Sequence, residues 1–197
     1  MKHLSNQQRR RFLVAATSVI GLVGTGAVLT PFIRSWSPSA RSLAAGAPVE
    51  VDVSKVEAGQ LLRVIWQGKP VWVVNRTQEM LATLPQNNAQ LRDPASEVTS
   101  QQPSYAQNEY RSRKPEYLVL VGICTHLGCS PTYRPELAPA DLGAEWRGGW
   151  YCPCHGSRFD LAGRVYKNVP AATNLEVPPY YFKQDQLLVI GEDGTAA

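Results

Sequence analysis

Cys124-Thr125-His126-Leu127-Gly128-Cys129 and Cys152-Pro153-Cys154-His155-Gly156-Ser157 hold all four cysteines of the 197-residue chain and two of its three histidines. Only His3 lies outside them, and it reads as a solvated residue. Thiolates and imidazoles are the side chains that bind soft and borderline metals, so the two boxes mark a metal centre. Box one supplies Cys-x-His and box two Cys-x-x-His, each on a loop after a segment that reads as a strand. Two Cys and two His would suit a structural zinc ion, but each box carries a further cysteine, Cys129 and Cys154, that zinc would leave as spare thiols.

Outward from the boxes the apolar pattern has a period of two in short bursts. Val49, Val51 and Val53 alternate, and apolar runs follow at 61–66, 71–74, 117–121 and 187–190. Gln67-Gly68-Lys69 reads as a hairpin turn between two of these runs, and Pro and Gly punctuate the rest. The domain from 49 to 197 is therefore expected to be all-β, an antiparallel sandwich or small barrel. The interval 84–113 is polar, rich in Gln, Asn and Ser, and reads as a surface insert with short helical pieces. Trp66, Trp72, Trp146 and Trp150 read as core residues rather than redox relays, and Arg158 as a surface charge.

The N-terminus is of another kind. Residues 12–33 are 22 without a charge, long enough as a helix to span about 33 Å and cross a bilayer. Arg9-Arg10-Arg11-Phe12-Leu13 precedes them and resembles a twin-arginine export signal, and positive charge on that side places residues 1–11 in the cytoplasm. Cleavage at the small-residue stretch Ala45-Gly46-Ala47 is the competing reading; the apolar run exceeds the ~7–15 residues of a signal-peptide core, which favours an uncut anchor. Residues 34–48 are rich in small side chains and read as a flexible tether, with an ordered loop as the alternative.

The formal net charge of +4 does not indicate a nucleic-acid binder. Six basic residues and no acidic one precede Glu50, which leaves 14 basic against 16 acidic groups from there on. A mildly acidic domain offers no basic groove, so nucleic acid is not an expected partner.

With its non-ligand positions included, C-T-H-L-G-C followed by C-P-C-H-G-S resembles the signature of Rieske iron-sulfur subunits of bacterial ubiquinol:cytochrome c oxidoreductases. The resemblance implies one 2Fe-2S cluster, with Cys124 and Cys152 on one iron and His126 and His155 on the other. It implies a disulfide between Cys129 and Cys154, which agrees with export to an oxidising compartment. It also implies Ser157 as a donor to a bridging sulfide, Leu127 as apolar docking surface against cytochrome b, and His155 as the ligand that takes the quinol's proton. The electron would pass from ubiquinol to a membrane-bound c-type cytochrome within a dimeric multi-subunit complex. The subunit would be single-pass in the bacterial inner membrane, its C-terminal domain periplasmic. A Rieske subunit of another exported oxidoreductase or of a plastoquinol complex is the alternative; a Rieske ferredoxin or oxygenase typically lacks both the anchor and the extra cysteine pair.

The segment from Arg164 to Ala171, followed by Asn174 to Tyr180, resembles the family's proline-containing loop, which covers the cluster from a third side. Two departures stand out. Many relatives carry Tyr two residues after the box-two Ser, where its hydroxyl bonds a cysteine sulfur, whereas this chain has Phe159. Without that donor the potential is expected to be lower than in Tyr-bearing relatives. The proline loop, Gly-Pro-x-Pro in the family, here reads Val169-Pro170-Ala171-Ala172, which puts its stiffness in question.

Overall fold

The computed structural model describes residues 5–39, 42 and 46–194 and divides into two units, 1–44 and 45–197. Among the described residues the first unit contains one long helix, α1 (Asn6–Ser35), which extends beyond the expected span of 12–33 at both ends. Ser5 starts it through a capping box, its side chain accepting from the Gln8 backbone N–H while the Gln8 side chain accepts from the Ser5 N–H. Thr17 Oγ1 donates to Leu13 O at 2.8 Å and Thr30 Oγ1 to Gly26 O at 2.7 Å, so both hydroxyls are satisfied inside the helix. That is the arrangement a hydrocarbon environment requires, and α1 is long and apolar enough to cross a membrane. The tether expected over 34–48 falls partly on 40, 41 and 43–45, outside the described residues.

Among the described residues the second unit holds nine strands, in chain order β1 (Val49–Asp52), β2 (Leu61–Trp66), β3 (Lys69–Asn75), β4 (Tyr117–Val121), β5 (Thr132–Leu137), β6 (Arg147–Tyr151), β7 (Arg158–Phe159), β8 (Tyr180–Gln184) and β9 (Leu187–Ile190). They form three antiparallel sheets, ordered β1-β9-β8, β2-β3-β4 and β5-β6-β7. One buried core joins all three, with Val51 and Leu188 from the first, Trp72 and Leu118 from the second, and Trp150 and Phe159 from the third. Strand β3 is central in its sheet and buried on both faces from Val71 to Val74, hence its unbroken apolar run. The β2–β3 turn is two residues long, Gln67 and Gly68, both with positive φ, and Lys69 already belongs to β3.

The β5-β6-β7 sheet carries box two. Strand β5 has Pro135 inside it, where the pairing with β6 shifts register, and β6 reads Arg-Gly-Gly-Trp-Tyr. Neither has a strand-like apolar pattern, so β5 escapes a reading of the sequence and β6 is expected only as the strand that leads into box two. Gly149 has to be glycine: a Cβ there would overlap the Phe159 carbonyl oxygen of neighbouring β7. The Trp72 and Trp150 rings stack with centroids 5.7 Å apart and planes 3° from parallel, tying this sheet to β2-β3-β4. Such a pair adds ~0.5–1.5 kcal/mol beyond its burial.

The insert contains α2 (Gln78–Asn87) just ahead of and into it, then three short 3-10 turns. It is not only surface. Ser96, Gln102 and Arg111 are buried, and the Arg111 guanidinium donates to the backbone oxygens of Gln101, Ala162 and Gly163.

Candidate metal centre

Box one follows β4 and leads to β5, crossing from one sheet to the next, while box two is the tip of the β6–β7 hairpin. The two loops close in the same way. In box one the Cys124 N–H donates to Cys129 O at 2.7 Å and the Gly128 N–H to Cys124 O at 3.0 Å. In box two the Cys152 N–H donates to Ser157 O at 2.8 Å and the Gly156 N–H to Cys152 O at 2.9 Å. Gly128 and Gly156 have φ of 83° and 75°, the left-handed turn that lets the chain reverse over the first cysteine. The shared spacing, Cys then Gly four positions on, is the signature of this double hydrogen bond.

The loops meet. Cys129 and Cys154 are joined by a disulfide, and Cys124 and Cys152 are free and buried, each 2% exposed. The sulfurs of Cys129, Cys152 and Cys154 lie within 4.8 Å of one another, but two of the three are spent in the disulfide, which leaves Cys152 as that group's free thiol. The His126 and His155 rings lie edge to face with centroids 4.8 Å apart, His126 half-buried and His155 exposed. Leu127, in box one, is 72% exposed.

Burial pushes the Cys124 thiol up, and the adjoining Cys152 thiol pushes it further; the His126 N–H and the Ser157 hydroxyl oppose them. A thiol at Cys124 that resists ionisation on its own, with donors already aimed at it, suits a bound cation that would hold it as the thiolate. Two free thiols and two imidazoles at one end match the donors of a 2Fe-2S cluster with two thiolates on one iron and two imidazoles on the other.

A third loop closes the site. Thr125 Oγ1 donates to Thr173 O at 2.7 Å, and the Ala171 N–H donates to Ser157 Oγ at 3.0 Å. Ala171 is fully buried although Pro170 and Ala172 beside it are exposed. Ser157 thus accepts from the third loop, and its own proton stays free to be donated toward the sulfurs. Behind box two Asp160 pairs with Arg164 at 2.7 Å, both wholly buried. Arg76 and Arg111 also grip the 160–164 turn, through Leu161 O and through Ala162 and Gly163 O. Burial lowers both guanidiniums to about 10. The sequence alone gave no sign of these buried arginines; a charged residue next to a β-hairpin reads as solvated.

Comparison with known proteins agrees with this geometry. Residues 1–39 match the family described as Ubiquitinol-cytochrome C reductase Fe-S subunit TAT signal, and residues 89–179 match the Rieske [2Fe-2S] domain. The chain is 64% identical over 192 residues to the ubiquinol-cytochrome c reductase iron-sulfur subunit of Allochromatium vinosum, spanning 98% of this chain and 92% of that protein. It is 43% identical over 185 residues to the protein of that name from Rhodospirillum rubrum, spanning 93% and 91%. The cofactor is one 2Fe-2S cluster of the Rieske type, and the matched signal with α1 makes the chain a membrane-anchored bacterial subunit. The chain belongs to the Rieske iron-sulfur subunit family of ubiquinol-cytochrome c reductases.

Proposed function

We propose that Cys124 and Cys152 hold one iron of the cluster, that His126 and His155 hold the other, and that quinol meets the protein at His155. The chain works as the iron-sulfur subunit of a multi-subunit cytochrome bc complex. The observation that carries the site assignment is the meeting of two buried free thiols with two crossed imidazoles, of which His155 is exposed. The bound cluster supplies a one-electron acceptor whose potential is raised because neutral imidazoles replace two thiolates.

The chain's own residues do the rest. His155 turns its non-ligating nitrogen to ubiquinol, accepts the hydrogen bond of the quinol hydroxyl and takes its proton as one electron leaves the quinol. The second electron goes to haem on cytochrome b. Leu127 provides the apolar contact against cytochrome b. The disulfide and the third loop keep water from Cys124 and Cys152. Domain 49–197 stands on the periplasmic side and moves on the 34–48 tether to a membrane-bound c-type cytochrome, where electron and proton are released. Arg9 to Arg11 keep the N-terminus cytoplasmic, and the complex is dimeric.

Low-temperature EPR of reduced membranes tests this. A Rieske-type signal that shifts when an inhibitor occupies the quinol site is the expected result. A signal indifferent to the inhibitor would remove the quinol contact at His155. No iron-sulfur signal at all would remove the ligand assignment.

A further inference from the structure

Beside box two lies a groove of about 540 Å³ that the cluster chemistry leaves unused. Gln90, Gly156, Arg158, Tyr166, Lys167 and Val169 are among the residues that line it. Its charge is one-sided. Arg158 reaches only the Leu142 oxygen, at 3.4 Å, and Lys167 Nζ donates to Ala89 O at 2.9 Å. Arg92, on the rim, donates to Val169 O at 3.4 Å. Among the described residues none of these three cations makes an ion pair with a carboxylate. The acid on this side, Glu145, is already engaged with Arg147 at 3.7 Å and with Gln90 Nε2 at 3.3 Å. Three free cations gather here although the residues from Glu50 on carry 14 basic against 16 acidic groups.

Tyr166 backs the groove, and its hydroxyl is itself sealed from solvent. Tyr166 is 7% exposed and its hydroxyl has no hydrogen-bond partner. Burial raises its pKa, so the proton stays on at neutral pH. The walls are fixed in place: the Lys167 N–H donates to Gln90 O at 2.8 Å, the Arg92 N–H to Val165 O at 3.0 Å, and the Tyr166 ring stacks on Trp146. Unpaired cations around a preformed polar groove are suited to carboxylates.

We propose that this groove seats an acidic surface of the c-type cytochrome that receives the electron. The inference rests on His155 being the exposed ligand. Gly156 follows His155 directly, so whatever fills the groove lies against that ligand, where an electron acceptor has to be. The apolar Leu127 belongs to the other box, and contact with the membrane-embedded partner falls there. A cationic flank on an otherwise mildly acidic domain selects an acidic partner and excludes a basic one.

The test uses the intact complex. Reduction of the c-type cytochrome is followed after rapid mixing with quinol, at several ionic strengths, for the wild type and for Lys167→Glu and Lys167→Arg. Lys167→Glu is expected to slow the reduction roughly tenfold at low ionic strength, with the gap closing as salt rises over the screening range. Lys167→Arg should restore the rate, and the EPR signal and midpoint should stay unchanged in both. Unchanged rates at every ionic strength overturn the proposal. So does a loss that salt does not affect, or one accompanied by an altered EPR signal, because both report a structural role. Lost binding to vesicles of anionic phospholipid with normal cytochrome reduction would make the groove a headgroup site instead. A wild-type complex whose cytochrome draws no electron from the cluster overturns the electron path itself, and this seat with it.

Discussion

Phe159→Tyr probes how the protein sets the potential of its cluster. Phe159 lies on β7, pairs with Trp150 across the ladder and is 0% exposed. A hydroxyl added there cannot reach water, so it either finds an acceptor or stays buried and unpaired. If a cysteine sulfur of the cluster accepts it, the bond is stronger in the more negative reduced state. Taking that difference as about 1 kcal/mol, at ~1.36 kcal/mol and ~59 mV per tenfold for one electron, the midpoint should rise by ~45 mV. If no acceptor is in reach, the unpaired hydroxyl costs ~1–3 kcal/mol, or a melting temperature lower by roughly 2–4 °C per kcal/mol in a domain of this size. The two cases therefore separate on paired measurements, a redox titration followed by EPR and a thermal melt. A raised midpoint with little loss of stability is the expected result. A folded variant with an unmoved midpoint and a lowered melting temperature would refute the account, because the hydroxyl would then point away from the sulfurs.

Removing the disulfide with Cys129→Ala and Cys154→Ala together releases a link across 25 positions, which the chain-entropy relation makes worth about 3.5 kcal/mol. Denaturant unfolding should show most of that loss, and a change below ~1 kcal/mol would mean that the third loop alone holds the boxes together. Asp160→Asn leaves Arg164 without its buried partner and should cost ~3–5 kcal/mol in the same assay, since both side chains are wholly buried; a neutral outcome would show the turn to be held by its backbone bonds. Tyr133 is pushed up to about 12 by burial, so above its ordinary value of 10 the unfolded chain ionises first. Its contribution to stability is complete below pH ~10 and is lost as pH rises to ~12, and tyrosinate absorbance should show this tyrosine titrating late. Titration at the ordinary value would mean that its contact with Gly59 O is open to solvent.

The parts legible in the sequence are those encoded locally. Strands with regular apolar runs, β2, β3, β4 and β9, can be read directly, and so can the long uncharged helix and the two-residue turn after Trp66. Strand β5 cannot, and β6 shows only as the segment leading into box two. A proline at a register shift and a pair of glycines suppress the apolar pattern, and their place in a sheet comes from pairing and from the Trp72–Trp150 stack rather than from propensity. The boxes were visible because their spacing records a hydrogen-bonding pattern internal to each loop. What brings the two together is not internal: box one crosses between sheets and box two caps a hairpin, and no local pattern shows that those ends coincide.

The same distinction explains why the altered proline loop need not be loose. Relatives stiffen this loop with Gly-Pro-x-Pro, whereas Val169-Pro170-Ala171-Ala172 has a single ring to restrict the backbone. Here the loop is held from outside. Ala171 is pinned to Ser157 and Thr173 to Thr125, one bond to each box. On its far side the polar insert braces it, with the Thr173 hydroxyl donating to Gln101 Oε1 at 3.3 Å and the Val177 N–H to Gln101 O at 2.8 Å. Arg111 in turn fixes Gln101 and Gln102 to the 162–163 backbone. A segment that looks like surface filler in the sequence therefore supplies the rigidity that the loop's own residues gave up. Gln101→Ala takes the acceptor from the Thr173 hydroxyl and leaves the Gln101 backbone bonds in place, so it should loosen the loop at Thr173 before it disturbs the boxes.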